Sequence, residues 1–194
     1  MKINCYTYYF TLIFLLFFNN SYAQQESKPT NIIFYLSDDQ DLLDYGVYGN
    51  PKVETSNVDL LANQGIKFTN FYTGQAICAP SRSQLFTGMY PVKNGCMANH
   101  IGVKPNIKSI TSLLKESGYE VVLAGKSHVK PNKVFDWTHY FPKVNNRYLP
   151  LEKIDDYLKN VNKPFCLIIA SDYPHGPFPN CLLYTSPSPR DLVI

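Results

Sequence analysis

Three short apolar runs, Asn31 to Ser37, Tyr119 to Ala124 and Pro164 to Ala170, constrain this chain more than any other feature. Each has the length of a strand and no polar alternation, the pattern of a strand covered on both faces, as in parallel sheets. Helical patterns fall between them. Ser56 is placed to cap a helix over Val58 to Asn63 that Gly65 stops, and Ser109 to Ser117 makes an amphipathic helix closed by Gly118. Leu151 to Asn160 makes another, with Glu152, Asp155 and Asp156 on a solvated face. Ile66 to Tyr72 alternates in the manner of a further strand. Strands separated by helices imply an α/β fold with a mostly parallel sheet between helices. Each apolar run then delivers titratable groups just past its carboxyl end: Asp38 and Asp39, Lys126 and His128, and His175. That rim is where open α/β sheets bind ligands.

Between the first two runs lies Cys78-Ala79-Pro80-Ser81-Arg82-Ser83-Gln84-Leu85-Phe86-Thr87-Gly88. Pro80 suits the first turn of a helix and Gly88 suits its stop. Cys78 then sits at a helix N-terminus, where free N–H groups and the dipole favour an anion, with Arg82 one turn on. An activated cysteine beside a cation is one reading, and a buried structural cysteine is the other. Adjacent carboxylates at the end of a buried strand repel and call for a cation, although loop acids also cap helices. Asp41 and Asp44 read as spectators. Lys126 and His128, two apart in extended chain, point to one side.

A net charge of +3 over 194 residues, with no Lys/Arg cluster, argues against a nucleic-acid partner. Lys2, the apolar run Tyr8 to Phe18 and Ser21-Tyr22-Ala23 read as a signal peptide over residues 1–23, and hence as an exported, periplasmic or secreted protein. The run is shorter than the roughly 20 residues of a membrane span. Residues 181–194 differ in kind: Cys181 to Asp191 matches the translation of a transposase adapter used in DNA library preparation, so a non-native tail is expected there. With Cys5 and Cys181 set aside, Cys78, Cys96 and Cys166 remain, and no disulfide framework is expected.

Cys78-x-Pro80-Ser81-Arg82 followed by Leu85-x-Thr87-Gly88 resembles the signature of the type I sulfatases, formylglycine-dependent enzymes of the alkaline-phosphatase-like superfamily. The resemblance runs from about Asn31 to about Pro179 and makes residues 24–180 the N-terminal part of a sulfatase catalytic domain, a part not expected to fold cooperatively alone. It implies that Cys78 is oxidised to formylglycine by a maturating enzyme, and that Asp38, Asp39 and the modified Cys78 bind calcium. Gly125-Lys126-Ser127-His128 is similar to the pattern of a sulfate-binding lysine and a histidine beside the formylglycine, and Pro174-His175-Gly176-Pro177 to that of a histidine facing the leaving group. The remaining calcium ligands and a second lysine are implied further downstream than this sequence reaches.

The implied chemistry is attack on sulfur by one hydroxyl of the aldehyde hydrate, followed by expulsion of sulfate by the other; an unmodified serine or cysteine would stall as a stable ester. Arg82 and Lys126 would supply fixed positive charge, His128 the base and His175 the acid. Asn94-Gly95-Cys96-Met97 and the residues around His128 are similar to the heparan N-sulfatase branch, which implies a sulfated glycan substrate. Two other readings compete: a phosphatase or phosphodiesterase of the same superfamily, for which zinc-ligand clusters are not apparent, and a non-catalytic protein that holds sulfated glycan.

Overall fold

The computed structural model describes residues 29–176, and the fold is that of the unit that begins at Asn31. The expected signal segment and tail lie outside the described residues. Among the described residues no helix is long and apolar enough to cross a membrane.

Four parallel strands form one sheet: β1 (Ile32–Asp38), β2 (Glu120–Gly125), β3 (His139–Pro142) and β4 (Phe165–Pro174), in the order β1-β4-β2-β3. Two of the apolar runs are buried on both faces, as their sequence implies. Val121 to Ala124 in β2, and Cys166, Leu167 and Ile168 in β4, have no exposed surface. Alternate residues feed two cores. Val121, Leu123 and Ile168 pack with Phe86 and Phe135 on one side, while Val122, Ala124 and Leu167 pack with Ile154 on the other. Cys96 and Cys166 are buried free thiols, and burial pushes Cys166 up to about 11.

The first run behaves differently. Ile32, Phe34 and Leu36 pack against the core, but Ile33 and Tyr35 are 60% and 63% exposed. β1 is one of the two edge strands, and among the described residues the face that carries Ile33 and Tyr35 is left largely uncovered. The strand expected over Ile66 to Tyr72 does not form, because alternation makes a strand only where a neighbour can pair with it; Ile66 and Tyr72 are both 82% exposed. Sequence pattern missed β3, a four-residue edge strand ending in Pro142.

The helices are α1 (Ser56–Gln64), α2 (Cys78–Thr87), α3 (Pro91–Asn94), α4 (Ile110–Glu116) and α5 (Leu151–Asn160). α1 starts earlier than expected, with Thr55 rather than Ser56 at its cap. Gly88 ends α2 in the left-handed region, its N–H bonded to the Gln84 carbonyl. Asn94 has no exposed surface, and its amide donates to Ser83 Oγ and the Met89 carbonyl while its oxygen accepts from Cys96 N–H. Asn94 and Cys96 therefore serve to pack α2 against the following loop. Trp137 likewise packs, edge to face with Phe86 at 5.5 Å.

Gly125 ends β2 at φ +101°, and a Cβ there would run into the Ala170 carbonyl. Only glycine allows that approach, which lets Lys126 N–H bond Ala170 O at 2.9 Å and fixes where the next side chain leaves the sheet.

Candidate active site at the carboxyl rim of the sheet

The rim collects Asp38 from β1, Lys126 after β2, Lys143 after β3, and Asp172 and His175 at the end of β4, with α2 pointing its N-terminus into the same place. Asp38 is 4% exposed, and it carries Lys126 Nζ on one carboxylate oxygen and Arg82 Nη2 on the other, the latter at 3.4 Å. Arg82 is itself 6% exposed and donates through Nη1 to the Lys126 carbonyl at 2.9 Å. The Arg82 side chain thus bridges α2 to the ends of β1 and β2. It reaches Asp38, which has a carboxylate oxygen within 4.8 Å of Cys78 Sγ.

Cys78 is half-buried, with Sγ 3.9 Å from Asp39 Oδ1. A cleft here is lined by Leu36, Asp38, Asp39, Cys78, Ser81 and Arg82. Burial, then the charges of Asp38 and Asp39, push the thiol up, against the smaller pull of Lys126 and Arg82. This corrects the expectation of an activated thiolate: the acids and the lost water outweigh the cations, and the sulfur stays protonated at neutral pH. Asn99 closes the helix end, its Oδ1 accepting from Ala79 N–H at 3.0 Å.

Asp38, Cys78 and His175 each offer a ligand atom, all within 4.8 Å of one another. Asp39 stands beside that trio, its backbone at φ 59° and its carboxylate 3.7 Å from His175 Nε2. Of the three expected residues, Asp38 and Cys78 meet with His175, and Asp39 adjoins them through its contacts to Cys78 and His175. Arg147 donates to the His175 carbonyl at 3.0 Å and lies over the Tyr173 ring at 4.4 Å, tying down the segment that carries this histidine.

His128 does not continue the strand. β2 ends at Gly125, and His128 takes φ 57°, so the argument from extended alternation fails at this position. Its ring instead tilts against His100 at 5.7 Å. Burial, then Lys126, Arg82 and His100, push its pKa below the ordinary value of 6.5, with Asp38 acting the other way. Asp38, Lys126 and Arg82 act on both His128 and Cys78. Nδ1 of His128 is a buried nitrogen without a hydrogen-bond partner among the described residues.

Four contributors escaped sequence reasoning. Asn99 and His100 lie in a loop with no periodic signal, and Lys143 follows a strand too short to recognise. Asp172 was legible, since it follows an apolar run as Asp38 does. It is 8% exposed and paired with Lys126 at 3.4 Å and Lys143 at 3.0 Å. Burial alone would raise its carboxyl, but the Lys143 hydrogen bond and the two lysine charges bring it below the usual range. A depressed folded-state value stabilises the fold above the ordinary carboxylate range, and that contribution is lost as pH falls through it. Asp41, read as a spectator, caps a short helical turn with Asp44. A wider apolar cleft lined by Tyr35, Tyr45, Val58, Leu61, Phe68 and Tyr72 adjoins the Cys78 cleft, with Gln40 lining both.

Known proteins resemble this chain in sequence and in fold. The chain is 60% identical over 157 residues to an ulvan-active sulfatase of Formosa agariphila, covering 78% of this chain and 32% of the relative. It is 29% identical over 196 residues to an N-acetylglucosamine-6-O-sulfatase of Bacteroides thetaiotaomicron, covering 88% and 34%. A solved protein in complex with its substrate D-glucosamine-2-N,6-O-disulfate superposes with a TM-score of 0.66 at 26% identity, over 76% of this chain and 35% of that one. The chain thus spans about a third of the length of these relatives. The sulfatase family profile matches residues 30–190, and the chain belongs to the sulfatase family.

Proposed function

We propose that the full-length protein is an exported sulfatase that removes sulfate groups from a sulfated polysaccharide, using formylglycine made from Cys78 by a maturating enzyme. The observation that carries this reading is the position of Cys78. It stands at the N-terminus of α2, facing two carboxylates, with its thiol held protonated. A thiol nucleophile would be poorly served there, whereas a cysteine awaiting oxidation to an aldehyde has no need of a low pKa.

The residues present fit calcium. Asp38 and Asp39 are hard oxygen donors, whereas a thiol is not, and conversion of Cys78 would replace its sulfur by oxygen at the same point. When bound, calcium would polarise sulfate oxygens and favour the ionised form of an aldehyde hydrate. Arg82 and Lys126 hold positive charge beside the carboxylates, where a sulfate in transit gathers negative charge. His128 is the base, held neutral first by burial and then by its cationic neighbours, with Nδ1 left without a hydrogen-bond partner among the described residues. His175, held from behind by Arg147, is the acid for the departing oxygen or nitrogen.

The sulfated glycan as substrate rests on the similarity to the ulvan-active sulfatase and the N-acetylglucosamine-6-O-sulfatase. Mass spectrometry of the peptide across Cys78, from a host with a maturating enzyme, is expected to show loss of hydrogen sulfide and gain of one oxygen. An unmodified thiol from that host would count decisively against the reading. The depressed His128 value sets a second expectation: kcat/KM should hold its plateau below pH 6.5, because the free base persists there. An acid limb above 6.5 would remove His128 as the base.

A further inference from the structure

The charged groups on the rim form a chain of alternating sign: Arg82, Asp38, Lys126, Asp172, Lys143. It crosses the sheet order at one point, because β4 lies between β1 and β2 and so places Asp172 beside the lysine that leaves β2. Lys126 is the middle member and touches both carboxylates. A divalent cation on Asp38 would compete with the Lys126 ammonium for that carboxylate and repel it. Arg82 keeps a second anchor through the Lys126 carbonyl. The Lys126 ammonium keeps only Asp172.

Resting on the sulfatase reading of this site, we propose that Asp172 is the positioning residue for Lys126: its carboxylate holds the ammonium in place and draws it off Asp38, so that Asp38 is free to ligate calcium. Asp172 touches no reacting atom in this scheme. It is suited to the task because it is nearly buried, fixed on a strand, and has a second oxygen neutralised by Lys143. Without it, a long flexible ammonium has one buried carboxylate to turn to, the one that the cation needs.

The test is a calcium titration by calorimetry on the full-length protein, run beside kcat and KM for a sulfate ester. Asp172→Asn is expected to weaken calcium binding and to lower kcat, each by about ten- to a hundredfold, the usual cost of removing an outer partner of a metal site. Asp172→Glu should recover most of both. In a Lys126→Met background, Asp172→Asn should leave calcium affinity where Lys126→Met put it, because the competitor is gone. A role in folding alone would weaken binding equally in either background, and that result overturns the proposal. Unchanged calcium affinity in Asp172→Asn, or a wild-type protein that takes up no calcium, overturns it too. If Asp172→Asn fails to fold, Lys143→Gln serves: Asp172 then holds Lys126 more fully and calcium binds at least as tightly as in wild type, whereas weaker binding sinks the idea. Wild-type protein that binds calcium but hydrolyses no sulfate would fail the sulfatase reading alone, since the calcium titrations still decide the role of Asp172.

Discussion

Cys78→Ala in the full-length protein is expected to lower sulfate release by about ten-thousandfold or more, the scale on which removal of a covalent nucleophile acts. The change should cost little stability. Cys78 is half-buried at the first position of α2, its side-chain hydrogen-bond contact among the described residues is the long one to Asp39, and alanine is a good helix former. Cys78→Ser should fail as completely unless the host oxidises serine, because a sulfated serine is a stable ester with no second hydroxyl to expel sulfate. The comparison with Arg82→Ala separates two causes. That change also abolishes turnover, but it takes a guanidinium from between Asp38 and the Lys126 carbonyl, so the protein should melt measurably lower. Rates are to be read with an aryl sulfate and with a sulfated polysaccharide, and melting by calorimetry. Cys78→Ala that retains full hydrolysis of either substrate would refute the mechanism.

Much of this arrangement can be read in the sequence, for a physical reason. Strands buried on both faces need continuous apolar runs, and the residues that follow them must leave the sheet at one rim, so β2 and β4 and the positions of Lys126 and His175 follow from hydrophobic patterning. The α2 helix was equally open, since Pro80 and Gly88 mark its ends by backbone chemistry. What failed was whatever depends on a neighbour. Ile66 to Tyr72 has the alternation of a strand but no partner among the described residues, and β3 has partners but scarcely any pattern. Electrostatics failed for the same reason. The motif placed a cation next to Cys78, but the sign of its pKa shift depends on Asp38 and Asp39, forty residues upstream in sequence and adjacent only in the fold. His100 could not have been anticipated: two left-handed residues, His100 and His128, bring their rings together from separate loops.

Asp38→Asn is expected to be the most destabilising single change at the site, by about 3–5 kcal/mol, the cost of removing one partner from a buried ion pair. Asp38 is 4% exposed and faces Lys126 and Arg82, whose side chains are 13% and 7% exposed. An asparagine there leaves two largely desolvated cations with no carboxylate at that point, and Asp172 can relieve only Lys126. Asp39→Asn makes the contrast. Its carboxylate is 54% exposed and has only long contacts, to His175 and to Cys78, among the described residues, so its removal should cost no more than about 1 kcal/mol in the absence of calcium. Both variants should lose the added stability that calcium gives the wild type, an increment set by RT ln(1 + [Ca]/Kd). Denaturant unfolding of the three proteins, with calcium and with a chelator, therefore separates two roles that the adjacent acids would otherwise seem to share. In chelator Asp38→Asn alone should unfold early; with calcium both should fall short of wild type. Equal losses for the two variants in chelator would mean that the buried Asp38 network does not stabilise the fold, and with it would go the argument that Lys126 and Arg82 are held in place by charge.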